Sequence, residues 1–167
     1  MQTFSSSTPI AAPPETVWDV MVDHQLYSRW SSSSRVDLEV EGSPDRNGVG
    51  AVRAFRNGPV SAREEVTAFD PPRRMAYRAL GMPLPVRDYR SEMVLTASED
   101  NRSCELHWDS WFETVIPLTG GILRRFMASA VAKFAAGIAE EAERRAQSAG
   151  TRPQACERLL CCLRPWR

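Results

Sequence analysis

Three turn signals in succession, separated by runs that alternate apolar and polar residues, decide which side chains of this chain share a face. Asn57-Gly58 suits a two-residue hairpin loop, because both positions of a type I′ turn need positive φ. With that loop, Arg53 lies opposite Ala62, Phe55 opposite Val60, and Arg53 is diagonal to Glu64. The turn Asp70-Pro71-Pro72-Arg73 places Tyr77 opposite Val66 and Met75 opposite Ala68. The loop Ser98-Glu99-Asp100-Asn101 aligns Tyr89, Ser91, Met93 and Leu95 with Ser110, Trp108, Leu106 and Cys104. Side chains alternate with period two along a strand, so all of these residues fall on one largely apolar face studded with polar groups. The opposite face then pairs Glu65 with Arg78, Glu92 with His107 and Arg90 with Asp109, each a carboxylate against a basic group.

The flanking segments supply a cover for that face. Thr3 to Ile10 alternates as a strand, and Ala11 to Glu15 opens a helix whose paired prolines suit its first turn. Val17, Trp18, Met21 and Val22 form its apolar side, and Asp23 opens a second short helical stretch with Leu26, Tyr27 and Trp30. Ser31 to Ser34 is a polar linker, Val36 to Glu41 a strand and Gly42 to Gly48 a loop, with the hairpins running from about Gly50 to Glu113. From Leu118 through Ala146 the period becomes helical, entered through Gly120 and Gly121. Leu123, Met127, Ala130, Val131, Phe134, Ile138 and Ala142 make one stripe along a helix about seven turns long. The stripe is buried only if this helix lies across the sheet. The fold class is α+β, a curved antiparallel sheet wrapped around a long C-terminal helix, with two short helices after the first strand.

At 167 residues, 43% hydrophobic and 25% charged, the chain builds one domain with a core. Lys plus Arg and Asp plus Glu are both 21, so no net field draws in nucleic acid. No apolar run approaches the ~20 residues that span a bilayer and no secretory leader opens the chain, so the expectation is cytoplasmic, without stable membrane insertion. Cys104 falls on the inward face, while Cys156, Cys161 and Cys162 match no zinc spacing, so free thiols are expected and neither a metal nor a cofactor. The domain is expected over 1–148. Residues 149–167 are expected to be a disordered Arg- and Cys-rich tail, whose Leu159, Leu160 and Leu163 could instead touch a membrane or a partner.

Local strings carry a resemblance. They are APPETVWDV with Trp30 downstream, GVGAVRAF at Gly48 to Phe55, EEVTAFDPPRRMAY at Glu64 to Tyr77, PLPVRDY at Pro83 to Tyr89, and LHW at Leu106 to Trp108. Together with the order of elements they make Thr3 to Ala146 resemble the START-like (SRPBCC) helix-grip superfamily, and within it the polyketide cyclase/dehydrase and lipid-transport family. The resemblance implies a cavity between the sheet and the long helix, used across the superfamily for lipids, polyketides and other apolar molecules. Some members cyclise or dehydrate, and many only bind.

The inward face nominates the site. Arg53 and Glu64 are within reach of one another. Arg53 could hold a ligand carboxylate or enolate with Glu64 as base or acceptor, or the two could be a buried ion pair that fixes the sheet. Tyr77, Tyr89, Ser91 and Trp108 offer aromatic surface with polar tips, which either stack a ligand or pack the core. Phe55, Met93, Met127 and Phe134 complete the candidate ligand-binding set, and no catalytic residue is assigned. Tyr27 and Trp30 either close one end of the cavity or pack helices. His107 is expected on the outer face beside Glu92, His24 exposed or capping, and Gly48-Val49-Gly50 in a turn, so no hydrolase or metal constellation forms. The expected function is binding, or carriage, of a small hydrophobic ligand by a monomer or weak dimer. The alternatives are a cyclase or dehydratase, and a protein-interaction module displaying Phe69 and Trp111 on its outer face.

Overall fold

The computed structural model describes residues 1–30 and 35–150. Its alternating segments become β1 (Gln2–Ile10), β2 (Arg35–Val40), β3 (Val52–Asn57), β4 (Val60–Asp70), β5 (Arg74–Gly81), β6 (Val86–Ala97) and β7 (Cys104–Thr114). They form one antiparallel sheet in the order β1-β7-β6-β5-β4-β3-β2. β1 and β2 are therefore opposite edges, and the chain crosses between them through α1 (Pro14–Val22) and a 3₁₀ helix (His24–Arg29). Pro14 begins α1, where the missing N–H costs nothing. α2 (Gly120–Gly150) runs 31 residues and packs chiefly against β1 and α1. That placement covers one side of the concave sheet and leaves a gap over β3 to β6.

The core is the inward face of the sheet closed by the helix stripe. Met75, Met93, Leu106 and Phe112 on the strands meet Ile138, Met127 and Ala142 from α2, with Val17, Val20 and Met21 from α1. Trp30 lies directly over Gly137. A Cβ at position 137 would stand 2.3 Å from the indole, so this close approach of the 3₁₀ segment to α2 needs glycine. Cys104 is a buried free thiol, as expected; Cys156, Cys161, Cys162 and the expected tail lie outside the described residues.

Two hairpins close two residues away from the expected register. The β3–β4 loop is Gly58-Pro59, with Asn57 opposite Val60, so Arg53 faces Glu64 directly and Phe55 faces Ala62. Proline has no N–H to give to the ladder and cannot be the first paired residue after the turn; Gly58, at φ 58°, takes the positive-φ position. The β6–β7 connection spans Ser98 to Ser103, held by the Ser98 hydroxyl and the Asp100 carboxylate, and it puts Ser91 opposite Ser110 and Met93 opposite Trp108. A shift of two keeps every side chain on its face, so the inward set survives.

The two charge pairs expected across β6 and β7 do not survive a shift of two. Glu65 and Arg78 meet as expected at 2.7 Å. Glu92, however, lies opposite Asp109 and bonds Arg74, Arg90 lies opposite Trp111, and His107 pairs with Glu105. A bulge between Val66 and Ala68 makes a further correction. It turns Phe69 to face Met75 and pack its ring 5.0 Å from Trp18, so Phe69 is half-buried against the core and not displayed outside. α2 begins at Gly120 and not at Leu118, which sits before it at φ 66°.

Candidate functional site

The gap between α2 and the sheet is a cavity of about 320 Å³. Its floor is the inward face of β3 to β7: Phe55, Glu64, Tyr77, Tyr89, Met93 and Trp108 reach it. Met127 and Phe134 descend from α2. Aromatic rings form a connected wall, with Phe134 5.5 Å from Tyr27, 6.3 Å from Phe55 and 6.3 Å from Trp108, and Tyr77 6.2 Å from Tyr89. Edge and tilted contacts at these distances hold the rings without filling the space between them.

Two of the ten candidate residues stand behind the wall. Ser91 is fully engaged: its hydroxyl donates to the Asp109 carbonyl at 3.0 Å, accepts from the Trp108 indole N–H at 2.7 Å and meets Ser110 Oγ at 2.7 Å. It thereby fixes the Trp108 ring that does face the cavity. Arg53 is 2% exposed, between the faces of Tyr27 and Tyr77 at 5.6 and 5.7 Å, an arrangement that stabilises a buried cation. Its Nη2 approaches Glu64 Oε1 at 2.8 Å, a charge contact off the hydrogen-bond line, which leaves Nε and Nη2 without a hydrogen-bond acceptor.

Burial sets the electrostatics. It pushes the Glu64 carboxyl above its ordinary range, and the neighbouring Arg53 offsets this only in part. Burial works against the Arg53 charge too, but Glu64, Tyr27 and Tyr77 together hold its pKa above the ordinary value, so the guanidinium stays charged. Burial raises the Tyr27 phenol to about 12 and moves Tyr77 and Tyr89 upward as well, so all three are neutral hydrogen-bonding groups. Tyr27 donates to the Met21 carbonyl at 2.6 Å. The site therefore holds one permanent cation, one carboxyl able to exist in either form, and phenol groups at an aromatic wall.

Several cavity residues were outside the set chosen from sequence. Tyr27 both closes the cavity and packs, since its ring lines the cavity and stacks on Arg53. Val60 and Ala62, on the inward face of β4, line the cavity too. Met82, Pro83 and Leu84, between β5 and β6, form one lip, and Phe126 and Ala130 of α2 form the other. Phe126 is off the buried stripe, but its spacing of four from both Ile122 and Ala130 marks a second apolar row. His24 is half-buried, not exposed, with Nδ1 lacking a partner and its pKa lowered by burial and then by Arg53. No cluster of three or more metal-ligating side chains occurs among the described residues.

The family model for polyketide cyclase / dehydrase and lipid transport matches residues 1–147. The chain belongs to this family. Its fold is similar to that of the Zhui aromatase/cyclase of Streptomyces sp. R1128, with 20% identity and TM-score 0.71 over 89% of this chain and 98% of that one. A START superfamily protein from Mycobacterium smegmatis matches at 13% identity and TM-score 0.68, covering 89% and 99% of the two chains. Norcoclaurine synthase of Thalictrum flavum, solved as a point mutant with a transition state analogue, matches at 14% and 0.65 over 86% and 95%. No curated protein matches the chain in sequence. At these identities the likeness to the solved structures is one of fold, and the helix-grip architecture is common to all three.

Proposed function

We propose that this family member binds one small, largely apolar molecule bearing a single oxygen-rich end. The observation that carries the reading is an aromatic-walled cavity with one carboxyl, Glu64, at its wall, backed by the buried Arg53 cation behind Tyr27 and Tyr77. Arg53 Nε and Nη2 lack a hydrogen-bond acceptor, so the oxygen-rich end of a ligand would meet the Glu64 carboxyl and the phenols at the wall, with the Arg53 charge behind them favouring an anionic end. At about 320 Å³ the cavity is at the lower end of the ~300–1,000 Å³ typical of ligand sites. That size favours a single chain or small ring system over a whole two-chain lipid.

A second reading is favoured by one observation, the raised Glu64 carboxyl at the cavity wall beside a cation that stays charged. A carboxylate poised to take a proton next to a group that stabilises a developing enolate is the apparatus of cyclisation and dehydration. Native mass spectrometry of freshly purified protein tests the binding reading. A single bound molecule of low mass, released by organic solvent, is expected. Protein that carries none and fails to take up any member of a panel of aromatic and aliphatic carboxylic acids would contradict it. Incubation with a bound poly-β-ketone chain then separates the readings, since an unchanged ligand supports binding alone.

A further inference from the structure

The connection from β7 to α2 turns its apolar side chains outward. Val115 and Ile116 are at least half exposed, Leu118 is 101% exposed, and Ile122 and Phe126 on the first turns of α2 are 75% and 60% exposed. Leu118 also holds a φ of 66°, a backbone region that disfavours any residue with a bulky Cβ substituent. A leucine held in an unfavourable conformation with its whole side chain in water contributes nothing to the core.

This patch is continuous with the cavity mouth. Phe126 belongs to both, and the Val115 N–H donates to the Pro85 carbonyl at 2.9 Å, joining the connection to the Met82–Leu84 lip. The segment itself carries charge of one sign, and Asp109 of β7 shares a groove with its Arg124 and Arg125 without pairing with them. From Thr114 through Ala139 the chain has no Asp or Glu but has Arg124, Arg125 and Lys133. Arg124 and Arg125 are exposed and pair with no carboxylate among the described residues, as is also true of Arg29, Arg90 and Arg102 elsewhere on the surface.

We propose that this patch docks the protein reversibly on an anionic phospholipid bilayer. Leu118, Ile122 and their neighbours enter the acyl boundary, and Arg124 and Arg125 lie among the headgroups. The cavity mouth then opens onto the bilayer, so an apolar ligand passes between them without crossing water. The net charge of zero gives no long-range attraction, so the patch acts on contact. A second copy of the chain is the poorer occupant. A twofold contact through the patch would bring Arg124 and Arg125 toward their own counterparts, with Asp109 the one carboxylate sharing their groove.

The proposal depends on the ligand reading for its purpose but not for its test. The full chain is sedimented with vesicles of phosphatidylcholine containing phosphatidylserine, and with phosphatidylcholine vesicles alone, no ligand being added. Binding to the anionic vesicles, weakened by salt, is expected. Leu118→Asn with Ile122→Asn should weaken it at least about tenfold. Asparagine tolerates positive φ, so the same change should leave the melting temperature unchanged or higher, which separates docking from folding. Arg124→Gln with Arg125→Gln should abolish the preference for phosphatidylserine. Wild-type protein left in the supernatant would overturn the proposal. So would binding that survives both pairs of substitutions, since another part of the chain would then be responsible. A dimer in sedimentation velocity that Leu118→Asn with Ile122→Asn dissolves, without vesicle binding, would assign the patch to self-association. Vesicle binding without ligand uptake would instead refute only the ligand reading.

Discussion

Arg53 and Glu64 occupy directly opposed positions on β3 and β4, with Nη2 2.8 Å from Oε1, and only the carboxylate of the pair reaches the cavity wall. The two partners are not equivalent when separated. A guanidinium cannot shed its charge, whereas a buried carboxyl can take up a proton.

Glu64→Ala therefore strands a buried cation with no acceptor, charged or neutral, and should destabilise the protein by about 3–5 kcal/mol, with Arg53→Met costing less. The double variant should be closer to wild type than Glu64→Ala is. Urea unfolding of the four proteins checks this as a double-mutant cycle. Equal costs for the two single changes, adding in the double, would show that the pair is not coupled.

The pH dependence has a defined sign. The folded Glu64 pKa lies above its ordinary value of 4.5, so the folded state holds the proton more tightly than the unfolded chain. Its contribution to stability is greatest in acid and declines as pH rises from about 4.5 through the folded pKa. Glu141 acts oppositely: hydrogen bonds from Arg144 and Arg145 lower it to about 2, so its contribution is present above 4.5 and lost as pH falls toward 2. Unfolding free energies of wild type and Glu64→Gln across this range should show a wild-type advantage that shrinks with rising pH. An advantage that grows with pH would mean that Arg53 outweighs burial.

Phe134 and Ile138 lie one turn apart on α2 with different duties. Ile138 is fully buried and Phe134 half-buried at the cavity. Ile138→Ala should cost about 2–5 kcal/mol, and Phe134→Ala less than the ~3–5 kcal/mol of a fully buried phenylalanine. Thermal melting decides the order. A larger loss at Phe134 would show that its ring closes the core and not a cavity.

Gly137→Ala should destabilise the protein by about 1–3 kcal/mol, despite alanine's helix preference, because the new Cβ meets the Trp30 indole. Tryptophan fluorescence should shift with the melting temperature. A stabilised variant would mean that Trp30 moves aside freely, and Tyr27 would lose its anchor at the cavity.

The faces of the sheet were legible in the sequence because parity is robust: a hairpin displaced by two leaves Phe55, Tyr77, Met93 and Trp108 pointing inward. Partners were not legible, because they depend on the loop itself. Pro59 moved one register, and the Ser98 and Asp100 hydrogen bonds moved another. The bulge beside Val66 has no glycine or proline to announce it, so plain alternation puts Phe69 on the outer face. Depth was also hidden. Alternation puts Arg53 and Ser91 on the inward face but cannot distinguish a residue at the wall from one behind Tyr77 or Trp108. The lips, Met82 to Leu84 and Phe126, come from elements brought together only by the docking of α2.

A fluorescence titration with 1-anilinonaphthalene-8-sulfonate, an apolar aromatic anion, tests the central claim that the cavity takes such a ligand. Ala130 lines the cavity without filling it, so Ala130→Trp should block the space from α2 while leaving the fold intact. Saturable one-to-one binding to the wild type, weakened at least about tenfold in Ala130→Trp at an unchanged melting temperature, is the predicted result. Equal binding by the two proteins, or none by either, would contradict it.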